Sequence, residues 1–225
     1  MTQPPLVIKH HQWRHLVREL GSVDGLQAVR QLTEMEYKLA LWAPVTLARW
    51  IATEQPELLD RPALRILVVG AETVDAVDDG MWYAALPALL GRPEMNVSVE
   101  LVGKTYGEVS PEFKPFLGKT PPRTRFAGKL PNPSRPHKQT ISAYLKSNAP
   151  DGLNLAVMFH PGFDSHFEEW FADDGLHRLA RSVPVFVASF HADEYITDRL
   201  VLEAYGFGDI GAPVVNPFTV QTDNE

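Results

Sequence analysis

Short, densely apolar runs set the strongest limit on what this chain can become. Residues 64–70 read LRILVVG, 153–159 read LNLAVMF and 184–190 read PVFVASF. Each is too short for a typical buried helix and rich in β-branched or bulky apolar residues, the pattern of a strand covered on both faces. Residues 96–102 (NVSVELV) alternate like a further strand, and 123–128 predict a short strand inside a proline-rich connection. Between the strands lie segments with helical signals: 81–91 stopped by Gly91, 138–148, an amphipathic run over 165–182, and 193–205 stopped by Gly206. The tail APVVNPFTV predicts a final edge strand.

Strand and helix alternate from residue 64 onward, which argues for a parallel sheet sandwiched by helices. The expected fold class is α/β: a Rossmann-like three-layer αβα arrangement with a mostly parallel sheet and an N-terminal helical cap. The cap is expected over 1–60 and the core over 61–225, as one structural domain. In the cap, Trp13, Leu16, Val17 and Leu20 recur at helical spacing, with Gly21 as a stop. Residues 36–53 read as a buried helix. Because proline suits a first turn, Pro44 predicts that its main body starts near Ala43, with Leu47, Trp50 and Ile51 on one face.

The 225 residues are 44% hydrophobic and 22% charged, a composition that supports a real core rather than a disordered chain. There are no cysteines, so disulfides, thiolate metal sites and a cysteine nucleophile are excluded. The start, MTQPPLVIKHHQWRHL, lacks the apolar core of a secretion signal, and no run is long enough to span a bilayer. A cytoplasmic protein without membrane attachment is the expectation.

Charge is unevenly spread. Between residues 113 and 150 there are eight basic side chains and no acidic one; the remainder carries 13 basic and 28 acidic residues, a net of −15. Within that stretch Lys119, Arg123, Arg125, Lys129, Arg135 and Lys138 are candidates for contacting a partner. A protein partner fits better than nucleic acid, since the whole chain is at −7 and would be repelled at long range. Pairing with the acidic remainder of the same molecule is the plainer alternative. The sequence leaves the oligomeric state open.

Several segments taken together resemble the C-terminal domain of the yeast mitochondrial splicing suppressor and its MYND zinc-finger relatives. They are residues 42–51 (WAPVTLARWI), the first strand with its Gly-Ala-Glu at 70–72, Trp82, Leu86-Pro87, and 101–103. Residues 155–163 (LAVMFHPGF), Trp170 and 184–198 (PVFVASFHADEYITD) complete the likeness, which spans roughly 40–218. The resemblance implies a Rossmann-like domain, without the partner-dependent role of the yeast protein. The zinc finger cannot exist in a cysteine-free chain, so only the domain is implied. His160 and His191 stand where the family carries asparagines.

In open parallel sheets, ligands bind beyond the carboxyl ends of the strands. Glu72 and Asp75 follow the first strand, His160 and Asp164 follow LNLAVMF, and His191 and Glu194 follow PVFVASF. His160, Asp164, His191 and Glu194 are therefore the candidate catalytic set, able in principle to move protons or help hold a metal. Gly70 and Glu72 are the candidate cofactor contacts. The glycine fingerprint of a dinucleotide loop is incomplete there and acidic residues follow, so no cofactor is expected. No serine nucleophile elbow, HExxH or P-loop pattern occurs. The expected function is a non-catalytic binding or regulatory module. The alternative is an enzyme using the strand-end cluster for S-adenosylmethionine-dependent methyl transfer or metal-assisted hydrolysis.

Overall fold

A computed structural model describes residues 4–71, 77–106, 124, 132–189, 191–208 and 210–218. Five parallel strands form one sheet in the order β3-β2-β1-β4-β5: β1 (Ala63–Val69), β2 (Asn96–Val102), β3 (Ser134–His137), β4 (Leu155–Phe159) and β5 (Val185–Ala188). From β1 the chain builds outward through β2 and β3, then returns to the other side of β1 for β4 and β5. The order reverses between β1 and β4, which marks a Rossmann-like sheet and its switch point.

One sheet face packs against the N-terminal helices α1 (Leu6–Lys9), α2 (Trp13–Leu20) and α3 (Glu34–Glu54) and the short α4 (Leu86–Leu89). Ile66, Val68, Val99, Leu101, Leu155 and Val157 point into this larger core. The opposite face buries Leu67, Val69, Ala156 and Met158 against α5 (Ile141–Ser147), α7 (Gly175–Ser182) and α8 (Ala192–Ala204). Adjacent residues of β1 thus enter different cores, the physical reason the run is apolar at both parities. The N-terminal helical segment supplies a full layer of the sandwich.

Helix α3 differs from its expected start. It begins at Glu34, where Thr33 and Glu36 form a reciprocal capping box, and it runs through Pro44. Twenty-one residues of helix with a buried face tolerate the hydrogen bond that proline cannot donate. Residues 81–91 are not one helix: 3-10 turns within Val77–Ala85, interrupted by the left-handed residues Asp78, Asp79 and Gly80, precede α4. The amphipathic run over 165–182 is likewise two helices, α6 (Phe167–Trp170) and α7. Between them, Asp173 accepts hydrogen bonds from the Ser142 hydroxyl and the Gly175 amide, fixing the break.

The expected strand at 123–128 lies outside the described residues except for Thr124. The strand on that side is β3, paired with β2 and containing Pro136, an edge position where a missing donor is tolerated. The tail, read as an edge strand, has no strand among residues 210–218. Its Phe218 is instead fully buried against Trp13, with ring centroids 5.3 Å apart, while Asn216 donates to the Thr46 hydroxyl at 2.7 Å.

Candidate functional site

The site grows from the carboxyl ends of β1, β4 and β5. After β1, Gly70 takes a left-handed conformation (φ 75°), and the Gly70 and Ala71 amides both donate to the Val102 carbonyl at the end of β2. This turn is where a nucleotide-binding fold brings its backbone close to a ligand. Here the neighbour is Trp170. A Cβ added to Gly70 would stand 2.8 Å from Cη2 and 3.0 Å from Cζ2 of the indole. The ring is held by Nε1 donating to the Pro161 carbonyl at 2.8 Å and by an edge-on contact with Phe163 at 5.5 Å. Across the crevice, Lys104 beyond β2 pairs with Glu169 of α6 at 2.8 Å.

After β4, His160 adopts φ 50°, rare for a residue with a side chain, and its amide donates to the Ala188 carbonyl at 2.7 Å. Its imidazole is largely buried and stacked on Trp42 of α3, with centroids 4.8 Å apart and planes 29° apart. Nδ1 lies 3.4 Å from Glu194 Oε2. Burial pushes the imidazole pKa below its ordinary value; the Glu194 hydrogen bond and charge pull it back in part, and nearby His191 lowers it further.

The residue that organises this cluster is Asp198, one turn beyond Glu194 on α8. It is 2% exposed, accepts from the Phe163 amide at 2.9 Å, and is 3.4 Å from the Ser189 hydroxyl. Burial raises its carboxyl to about 6, against the Phe163 hydrogen bond that favours ionisation; Glu194 and Asp164 push it further up. Nothing in the linear pattern singles out Asp198, because the loop carrying Phe163 reaches it from 35 residues away.

Of the predicted set, the structure pairs His160 with Glu194 and sets His191 and Asp164 close enough to act on the cluster through charge. Asp164 and His191 themselves are exposed. Glu72 and Asp75 lie outside the described residues, as do Lys119, Arg123, Arg125 and Lys129. Arg135 sits exposed on β3 and Lys138 exposed just after it. Among the described residues, no group of three or more His, Asp or Glu side chains is arranged to hold a metal ion, and no helix is long and apolar enough to cross a membrane.

A second polar centre lies beneath the sheet's other flank. Asp78, Asp79 and Gly80 form three successive left-handed residues, with φ 53°, 59° and 77°. The buried Asp78 carboxylate accepts from Trp82 Nε1 at 2.8 Å and from the Thr124 amide and hydroxyl at 2.8 and 2.6 Å. These bonds are all internal, and Asp78 serves as a pin for Thr124.

Fold and site together define a Rossmann-like α/β protein whose switch-point glycine is covered by a tryptophan of its own chain. No protein-family model matches the chain, and no curated protein or solved structure matches it.

Proposed function

We propose that this chain is a non-catalytic binding or regulatory module on a Rossmann-like scaffold. One observation carries the reading: the indole of Trp170 already fills the space above Gly70 where a cofactor would approach the backbone. The neighbouring groups are committed to the same construction, with Asp198 anchoring Phe163 and His160 stacked beneath Trp42. A protein partner is the reading we favour for the binding role, with the exposed Arg135 and Lys138 at one end of the basic stretch suited to an acidic surface. The likeness to the splicing-suppressor domain points the same way.

The competing reading is an enzyme drawing on His160, Asp164, His191 and Glu194. Its support is the carboxyl of Asp198, which would exchange a proton near pH 6 beside a histidine–glutamate pair. Thermal unfolding of the unaltered protein separates the two. Titration with S-adenosylmethionine, NAD, and magnesium, manganese or zinc ions is expected to leave the melting temperature unchanged. A saturable rise with any one of them would favour the enzyme and overturn the module, since a specific ligand stabilises in proportion to the logarithm of its excess over Kd.

A further inference from the structure

We propose that the cleft between α2 and α3 is a recognition site for an Asn-Pro-Phe turn, filled in the resting protein by the chain's own residues 216–218 and open to the same motif on a partner protein. This rests on the reading of the chain as a binding module and names the kind of partner it takes. The motif is a self-contained unit. The Phe218 amide donates to the Asn216 side-chain oxygen at 3.0 Å, and the Asn216 side-chain amide donates back to the Phe218 carbonyl at 3.4 Å. Pro217 between them fixes its own backbone angle, so the turn is set by its own three residues. A segment already bent for binding loses less freedom when it docks.

The cleft reads two of the three residues. Phe218 enters it completely and meets Trp13 edge to face, with centroids 5.3 Å apart. A single aromatic ring in a desolvated pocket is the usual anchor of a binding interface. Thr46, a polar side chain of α3 that is itself buried, accepts from the Asn216 amide at 2.7 Å and so selects a donor there. Pro217 faces solvent. The walls have supports of their own. Trp13 is braced by Tyr37 of α3 at 5.9 Å and shares α2 with the buried Leu16, Val17 and Leu20. The occupant is fastened differently. Residues 211–215 are exposed throughout, so among the described residues the tail is a solvated tether held at Asn216 and Phe218. Such a tether supplies its motif at an effective concentration of about millimolar. A partner's motif competes with it, and its apparent affinity is the intrinsic affinity reduced by the fraction of molecules with the cleft vacated.

A fluorophore-labelled synthetic peptide of residues 212–218, amidated at its carboxyl end, tests this by polarisation. It is titrated with the unaltered protein, Phe218→Ala and the milder Phe218→Leu, each first verified as folded by circular dichroism and thermal unfolding. We expect Phe218→Ala to bind the peptide at least about tenfold more tightly than the unaltered protein, because its cleft is no longer filled by its own tail. Added peptide should also raise the melting temperature of that variant saturably. Phe218→Leu should fall between the two, and it carries the comparison if the alanine variant does not fold. Alanine in place of Asn216 or Phe218 in the peptide should weaken binding at least about tenfold. If no folded variant binds more tightly than the unaltered protein, the cleft merely packs the tail and the inference falls. The module reading then stands, since the cofactor and metal titration decides it separately. Binding that survives loss of the peptide's asparagine would overturn the role of Thr46. Sedimentation velocity tests the occupant: a dimer of the unaltered protein that is lost in Phe218→Ala would mean tails exchanged between copies, and would overturn a different protein as the partner.

Discussion

Asp198 shows how a single carboxyl can oppose the fold it organises. Its pKa rises from 3.8 to about 6 because burial and the nearby Glu194 and Asp164 disfavour its charge more than the Phe163 amide favours it. A carboxyl that is harder to ionise when folded stabilises the native state only while protonated. That contribution is complete below the unfolded pKa near 4 and is lost as pH rises through about 6. A side-chain amide in its place would still accept from the Phe163 amide and would carry no charge. Asp198→Asn should therefore be more stable than the unaltered protein at pH 7, by about 1–3 kcal/mol. The advantage should shrink as pH falls from 6 toward 4. Urea unfolding at pH 7, 5 and 4 measures it, and a gap independent of pH would contradict the assigned titration. Asp78 holds its surroundings by hydrogen bonding: it accepts from Trp82 Nε1 and from the Thr124 amide and hydroxyl, and Asp78→Ala would remove all three of these bonds from a buried site. A loss of about 3–5 kcal/mol is expected in the same unfolding experiment.

Among the elements, those with the strongest reason to be apolar were the most legible. Strands β1 and β4 coincide closely with predicted apolar runs because most of their residues are buried. Strand β2 matches its alternating run, with its apolar residues buried and Asn96, Ser98 and Glu100 less so, and β5 falls within its run with only Ala188 buried. Strand β3 reads SRPH and carries no such signal; it exists because β2 offers it a free edge. The division of 165–182 into α6 and α7 was hidden because it comes from distant contacts, Trp170 turning onto Gly70 and Asp173 reaching Ser142. The site follows the same logic. His160 and Glu194 were legible from their places after strands, whereas Asp198 and the placing of Trp170 over Gly70 depend on segments far apart in sequence. Helix α3 shows a local signal that was outweighed: Pro44 suggested a start, but the Thr33–Glu36 box lies well before it and sets the true one. Thr33→Ala should cost about 1 kcal/mol in urea unfolding, and Thr33→Ser should restore most of it. An unchanged midpoint for the alanine variant would mean that the first turn gains its stability from packing alone.

At the scale of the molecule, the two helical layers are separated by the sheet and meet at its carboxyl edge, where His160 stacks on Trp42 of α3 and pairs with Glu194 of α8. The segment after α8 makes a second link. Helix α8 belongs to the face that buries Met158 and Leu202, yet residues 216–218 lie on the other side of the sandwich, with Phe218 against Trp13 and Asn216 bonded to Thr46 of α3. The chain therefore clasps the sandwich, linking the last helix to the first layer. Fastening is concentrated in one ring, since Phe218 is wholly buried while Val214 and Val215 stay exposed. Phe218→Ala should destabilise by about 3–5 kcal/mol, the range for emptying a buried aromatic site. Asn216→Ala should cost about 1 kcal/mol. Because both variants loosen the same clasp, their effects should sum to more than the double variant loses, a coupling a double-mutant cycle reads directly. If the clasp joins the layers, tryptophan fluorescence, to which four of the five indoles (Trp13, Trp42, Trp50 and Trp82) contribute from the first layer, and far-ultraviolet circular dichroism of the whole should follow one transition in the unaltered protein. They should separate in Phe218→Ala. Coincident transitions in that variant would show that the sheet and the His160 contacts suffice to couple the layers and that the tail merely covers Trp13.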